Sequence, residues 1–251
     1  MRIVHVKGKS VNVMENAMNA EHIMPSLNVR DPLHVKKMEE IIADTIDFIK
    51  NIFENDSSGH DYFHSLRVYK TALKIAQEEN ANADIVALAA LLHDVDDKKL
   101  SPQTYENKDN AVRFLKDKNV SDESISQICR IIDEVSFNGN DSVAPSTIEG
   151  KCVQDADRID ALGAVGIART FAYGGSHNRI MYNPEIEPML GMTKEEYQNH
   201  ISTSINHFYE KLFLLKGLMN TKCGKAIAEK REEYMKKFVE EFIIEWNGKD
   251  I

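Results

Sequence analysis

The sequence predicts an all-α fold, a single helical bundle preceded by a short N-terminal extension. Three observations predict it. Only six prolines occur in 251 residues, and three of them fall between Pro145 and Pro188, so most of the chain is free to be helical. Apolar residues recur at helical spacing through most of the remainder. No set of alternating apolar segments with turn signals suggests a sheet.

Residues 1–30 are read as an extension of unknown role: Met1 to Val6 alternates like a short strand, and Val11 to Met24 resembles a loose helix. From Pro32, a proline suited to a first helical turn, Met38, Ile41, Ile42, Thr45, Ile46, Ile49 and Ile52 keep a helical rhythm. Asn55 to Gly59 reads as a loop able to cap the next helix. That helix carries Leu66, Tyr69, Leu73 and Ala76 on one face. The next, from about Ala83 to Leu92, is so apolar that it must be central. Further helices are expected over Ala111–Lys118, Asp122–Val135 and Ile159–Phe171. Gly174-Gly175 is expected to open an irregular loop reaching about Thr193. The tail from Lys194 to Trp246 reads as two helices broken near Asn220–Gly224. Residues 31–251 are therefore assigned to one domain.

Composition narrows the function classes. With 31 basic against 40 acidic residues the net charge is −9, which disfavours a nucleic acid polymer as partner. A small anionic substrate is compatible, since a bound cation would neutralise it locally. No run of about 18 apolar residues predicts a membrane span, and the N-terminus lacks the pattern of a secretory signal. The three cysteines, Cys129, Cys152 and Cys223, are odd in number and widely spaced, as suits a reducing compartment. A cytoplasmic protein is expected, and a homodimer is left open.

The chemistry concentrates in GHDYFHSLRV (59–68), LAALLHDVDD (88–97) and VQDADRIDALGA (153–164), each placing His or Asp where an apolar pattern breaks. Burying an imidazole beside a carboxylate is costly unless each has a partner, and a divalent cation accepts both. Singly, each residue has a plainer reading: a histidine satisfied within the core, or Asp155, Asp157 or Asp160 as a helix cap. Jointly the three segments point to a metal centre.

The order H…HD…D resembles the HD superfamily of metal-dependent phosphohydrolases. By position, His64, the doublet His93-Asp94, and Asp157 match the family's metal ligands. The similarity extends from about residue 36 to Trp246. ALAALLHDVDD, QDADRIDALGAVGIAR and HFYEKLFLLKGLMNT look like a bacterial stand-alone subgroup, some of whose members cleave nucleoside triphosphates to monophosphate and pyrophosphate. Family members with two metals carry further histidines between the doublet and the last aspartate. Residues 95–156 here contain no histidine, so one divalent ion (Mn, Mg, Co, Ni or Fe) is expected.

The implied chemistry is attack of water on phosphorus, with the cation polarising a phosphoryl oxygen and orienting the substrate. Asp97, four residues beyond His93 and on its face if the helix continues, is the first candidate acid or base, and Asp96 the second. Both could instead end the helix in solvent. His60, one turn before His64, is a candidate leaving-group acid; Asp61 could orient a ligand or cap. Arg67, Arg169, His177, Arg179 and Lys211 are candidate substrate contacts, with Arg158 and Asn178 beside them, under a loop that Gly174-Gly175 would let move. Lys211 rests on the resemblance, and an exposed helix face is its plainer reading.

The expected activity is conversion of a nucleoside triphosphate to monophosphate and pyrophosphate. The alternatives are a nucleoside monophosphate phosphatase of the 5′-nucleotidase type and a non-catalytic nucleotide- or metal-binding regulator.

Overall fold

The computed structural model describes residues 3–6, 9–12, 31–53, 62–98, 101–135, 143–192, 196 and 200–249. The chain divides into two compact units, Met1–Lys36 and Lys37–Ile251. In the first, β1 (Ile3–Val6) and β2 (Lys9–Asn12) form an antiparallel hairpin in which Ile3 pairs with Asn12 and Val6 with Lys9. Of the alternating Met1–Val6, Ile3–Val6 is thus a strand, and Val11 and Asn12 lie in its partner rather than in a helix. The rest of the segment read as a loose helix, 13–24, lies outside the described residues.

All remaining elements among the described residues are helical, as the proline scarcity and periodicity predict. They are α1 (Pro32–Ile52), α2 (Tyr62–Glu78), α3 (Ala83–Leu92), α4 (Asp109–Asp117) and α5 (Asp122–Val135). Then follow α6 (Ile148–Asp160), α7 (Gly163–Ser176), α8 (Asn206–Glu210), a 3₁₀ helix (Leu212–Leu218) and α9 (Lys222–Trp246). Helix α3 is central, with every residue from Ile85 to Leu92 buried. Each large aliphatic side chain so buried contributes roughly 1.5–3 kcal/mol, enough to hold a ten-residue helix that would not persist alone. Asn82 starts α3, its side-chain oxygen accepting from the amides of Asp84 and Ile85. Helices α2, α5 and α6 pack around α3, and α6 also meets α7 and α9.

Two boundaries differ from expectation. The helix read as Ile159–Phe171 is the junction of two: α6 ends at Asp160, and Gly163, at φ +74°, turns the chain into α7. Glycine adopts that left-handed backbone without strain, and a Cβ there would also press on the Arg231 side chain. Second, α7 runs through Gly174-Gly175 to Ser176, so the loop begins at His177. Helix-compatible neighbours overrode the glycines. The loop is pinned rather than free: Asn206 Nδ2 donates to the Ile186 carbonyl at 2.7 Å. The buried Glu210 carboxylate accepts from Met189 N and from Ser202 Oγ, at 3.2 and 2.7 Å. The break in the tail falls at 219–221, close to where it was expected, but the part before it is not one helix: residues 201–205 are outside any helix, and the short α8 and the 3₁₀ helix follow.

Candidate metal centre

His64 lies in the first turns of α2, His93 is the C-terminal cap of α3, Asp94 follows it, and Asp157 sits in the last turn of α6. α2 packs on both α3 and α6, and this brings three distant stretches of sequence to one point. His64 Nε2 lies 3.2 Å from His93 Nε2, 3.4 Å from Asp94 Oδ2 and 3.3 Å from Asp157 Oδ1. His93 Nε2 is 3.2 Å from Asp94 Oδ2 and 3.9 Å from Asp157 Oδ1. A cation about 2.1 Å from each donor spaces neighbouring donors roughly 3.0–3.4 Å apart, and four of these five separations are those of an ion-sized hole.

The outer nitrogens settle which ring atoms face inward. His64 Nδ1 is 2.8 Å from Asp160 Oδ2, and His93 Nδ1 is 2.8 Å from the Ala90 carbonyl. Both partners only accept, so each Nδ1 carries a proton, and in the neutral ring each Nε2 offers its lone pair to the centre. Two imidazole lone pairs aimed at each other repel unless a positive charge lies between them. The carboxylates work in the same direction. Burial alone would lower the pKa of both histidines, but Asp157, Asp160 and Asp94 around His64, and Asp94 and Asp157 around His93, raise them above the ordinary value. Burial would raise the Asp157 pKa, yet His64 and His93 bring it down. Mixed nitrogen and oxygen donors of this kind suit a borderline divalent ion.

Asp160 is the residue that the sequence reading underrated. It is buried, and beyond His64 it accepts from Arg67 Nε at 2.7 Å and Arg67 NH2 at 2.9 Å, and from Arg169 at 2.5 Å. Burial pushes its pKa up, but His64, Arg67 and Arg169 together hold it far below the usual carboxylate range. Asp160 is thus paired with two guanidinium groups, while Asp94 and Asp157 are left to the two imidazoles and the centre between them. The one available signal was its i+3 spacing from Asp157, which sets both on neighbouring positions of a helix.

The other candidates separate. Arg67 and Arg169 are in the cluster, with side chains 34% and 28% exposed, so both reach its solvent side. Asp96, read as a candidate acid or base, is engaged at the start of another helix. It is buried and accepts from the backbone amides of Asn110 and Ala111, at 3.2 and 3.0 Å, at the start of α4. Lys108, at the N-cap of α4, supplies no side-chain cap, so Asp96 does so from a distance. Asp97 does not lie one helical turn beyond His93, because α3 stops at Leu92 and 93–96 form a turn. It is half-buried there, its carbonyl accepting from Ser101 N. His60 and Asp61 lie outside the described residues. Arg158 is buried and donates to the Leu218 carbonyl, which ties α6 to the tail.

Tyr173 lies one turn past Arg169 on α7; the exposed ring of His177, the C-cap of α7, stacks on it at 3.8 Å, and the Arg179 guanidinium lies 5.8 Å from the same Tyr173 ring. Asn178, at φ +55°, makes the bend between them. Lys211 follows α8 and acts through space on His207.

An HD domain model matches residues 61–162, the interval that holds all four donors and Asp160. YpgQ of Bacillus subtilis, an uncharacterized protein, is 38% identical over 199 residues, covering 76% of this chain and 87% of YpgQ. A crystal structure of an HD-superfamily hydrolase from Bacillus thuringiensis is 44% identical and superposes with a TM-score of 0.68, over 84% of this chain and 98% of that one. The structure of Bacillus subtilis YpgQ in complex with ADP superposes with a TM-score of 0.65 at 32% identity, over 85% of this chain and all of that one. No described helix is long and apolar enough to cross a membrane. From its three-segment donor cluster and these relationships, the chain belongs to the HD superfamily and is a metal-dependent phosphohydrolase.

Proposed function

We propose that this enzyme hydrolyses a nucleoside triphosphate to monophosphate and pyrophosphate, using one divalent cation held by His64, His93, Asp94 and Asp157. The observation that carries the reading is the convergence of four donor atoms, with His64 and His93 Nε2 each within 3.2–3.9 Å of the others. Among the described residues one cluster, His64, His93 and Asp94, could hold an ion, with Asp157 Oδ1 3.3 Å from His64 Nε2; together with the lack of histidine between residues 95 and 156 this supports one ion rather than two. ADP bound to YpgQ supports a nucleotide as the ligand. On this reading residues 31–251 form the hydrolase domain and 1–30 an appendage.

A bound divalent ion supplies positive charge at a phosphoryl oxygen and acidifies water. The chain's own residues do the rest. His64 and His93 offer neutral nitrogen donors, fixed in tautomer by Asp160 and Ala90. Arg67 and Arg169, held by Asp160 yet partly exposed, orient the phosphate chain and neutralise it. Arg179, His177 and Lys211 remain the candidates for contacting the rest of the substrate. Positioning together with electrostatic stabilisation is the main work in phosphoryl transfer, and no covalent nucleophile is required.

The test is release of phosphate against pyrophosphate from dATP and dAMP with Mn²⁺, Mg²⁺, Co²⁺, Ni²⁺ or Fe²⁺, using the double variant His93→Ala/Asp94→Ala as the blank. Pyrophosphate from dATP is the expected product. Phosphate from dAMP would instead make the protein a monophosphatase. Stabilisation by nucleotide with no product in any metal would make it a regulator.

A further inference from the structure

Asp160 stands outside the donor cluster, yet three of the side chains that matter there converge on its two oxygens. His64 Nδ1 and Arg67 NH2 reach Oδ2 at 2.8 and 2.9 Å, as does Arg169 NH1 at 2.5 Å, while Arg67 Nε reaches Oδ1 at 2.7 Å. The carboxylate is only 4% exposed, so these contacts are desolvated and directional. They come from three helices: His64 and Arg67 from α2, Arg169 from α7, Asp160 itself from the end of α6.

An imidazole has two ways to carry one proton and a ring that turns about its Cβ bond, so a donor histidine needs something to choose for it. Arg169 NH1 also comes within 3.4 Å of His64 Nδ1, but both are donors there, and only the carboxylate between them satisfies both. Asp160 therefore selects the Nδ1–H tautomer and holds the ring with Nε2 inward.

We propose that Asp160 is a positioning residue that sets cation affinity through His64 while clamping Arg67 and Arg169 at the phosphate side of the centre. The inference rests on the metal-centre reading above and deepens it. One buried carboxylate couples the donor that holds the ion to the two guanidiniums that face the substrate, so loss of its charge disturbs both at once. Outer partners of ligand histidines commonly set metal affinity by about ten- to a hundredfold.

The experiment is Mn²⁺ binding, read from the electron paramagnetic resonance signal of free Mn²⁺, for the nucleotide-free wild-type chain and Asp160→Asn. The carboxamide nitrogen of the variant sets a donor against the donors of His64, Arg67 and Arg169. Mn²⁺ affinity is expected to fall ten- to a hundredfold, with an unchanged helical circular dichroism spectrum and with turnover partly restored by excess Mn²⁺. A purely structural role would lower the melting temperature and leave the Mn²⁺ affinity of the folded fraction unchanged, which overturns the proposal. If the wild type itself binds no Mn²⁺, the metal-centre reading fails instead, so the two failures are distinguishable. Should Asp160→Asn not fold, ¹⁵N-histidine NMR of the Zn²⁺-loaded wild type decides. A proton on His64 Nδ1 supports the assignment, and one on Nε2 overturns it.

Discussion

His64 and His93 turn their Nε2 atoms toward each other at 3.2 Å, each with its Nδ1 committed outward to an acceptor. Neutral imidazoles do not choose that arrangement for one another. It is held by packing of α2 on α3 and by carboxylates on either side, and it makes the centre a receptor for positive charge.

Replacing either donor should therefore abolish binding before it disturbs the fold. For His93→Ala, Mn²⁺ affinity and hydrolysis are each expected to fall by on the order of a hundredfold or more, exceeding the effect of an outer partner. Isothermal titration with Mn²⁺ alongside phosphate or pyrophosphate release checks this. Retention of both within tenfold would remove His93 from the centre.

Chelation should cost stability. A ligand that binds only the native state adds about 2.7 kcal/mol at a hundred times its dissociation constant. Scanning calorimetry with Mn²⁺ and with excess EDTA should show a lower melting temperature in EDTA for the wild type. His93→Ala/Asp94→Ala should melt at the same temperature in both.

Asp155 is a structural counterpart to Asp157. Fully buried, it accepts from Asn220 N and Nδ2 at 2.8 and 2.9 Å and from Thr221 N and Oγ1 at 2.8 and 2.7 Å. Asp155→Ala strands these donors at the start of α9 and should cost about 3 kcal/mol in urea unfolding. Gly224→Ala should destabilise the same joint, since its Cβ would fall 2.3 Å from Asp155 Oδ2. Unchanged urea midpoints would deny Asp155 this role.

Asp96→Ala should behave as loss of a helix cap, costing about 1–2 kcal/mol. Its Mn²⁺ affinity should stay within a few-fold of wild type, as Asp96 spends both oxygens on α4. A selective loss of turnover at unchanged stability would restore it as a catalytic group.

His207 gives a pH signature away from the metal centre. Burial, then the positive charges of Lys211, Arg179 and His200, lower its pKa from 6.5 to about 3. The unfolded chain binds a proton there below pH 6.5 and the folded chain does not until about pH 3, so its contribution to stability falls as pH drops through that window. His207→Asn should flatten stability against pH between those limits relative to wild type in denaturant melts at stepped pH. Parallel curves would show that His207 titrates normally.

Helix periodicity was legible wherever one face is apolar, as in α1, α2 and α5, because burial repeats at the helical period and the sequence carries that period directly. It misled at 159–171, where apolar spacing runs across a turn that Gly163 makes, and at Gly174-Gly175, where neighbours kept the helix intact. Asp97 was placed by extending α3 past its end, and no pattern in Leu88–Asp97 marks the stop at Leu92.

The sequence by itself determined the helical class, the apolar central helix and the residue types able to hold a cation, since each is written in local pattern and composition. Only the tertiary structure decided which of the neighbouring aspartates did what. Asp94 and Asp157 face the centre, Asp160 stands behind His64, Asp155 holds Asn220 and Thr221 just before α9, and Asp96 caps α4. The physical reason is that a carboxylate's role is set by the donors that packing brings within about 3 Å of it, and those donors come from segments up to 96 residues away.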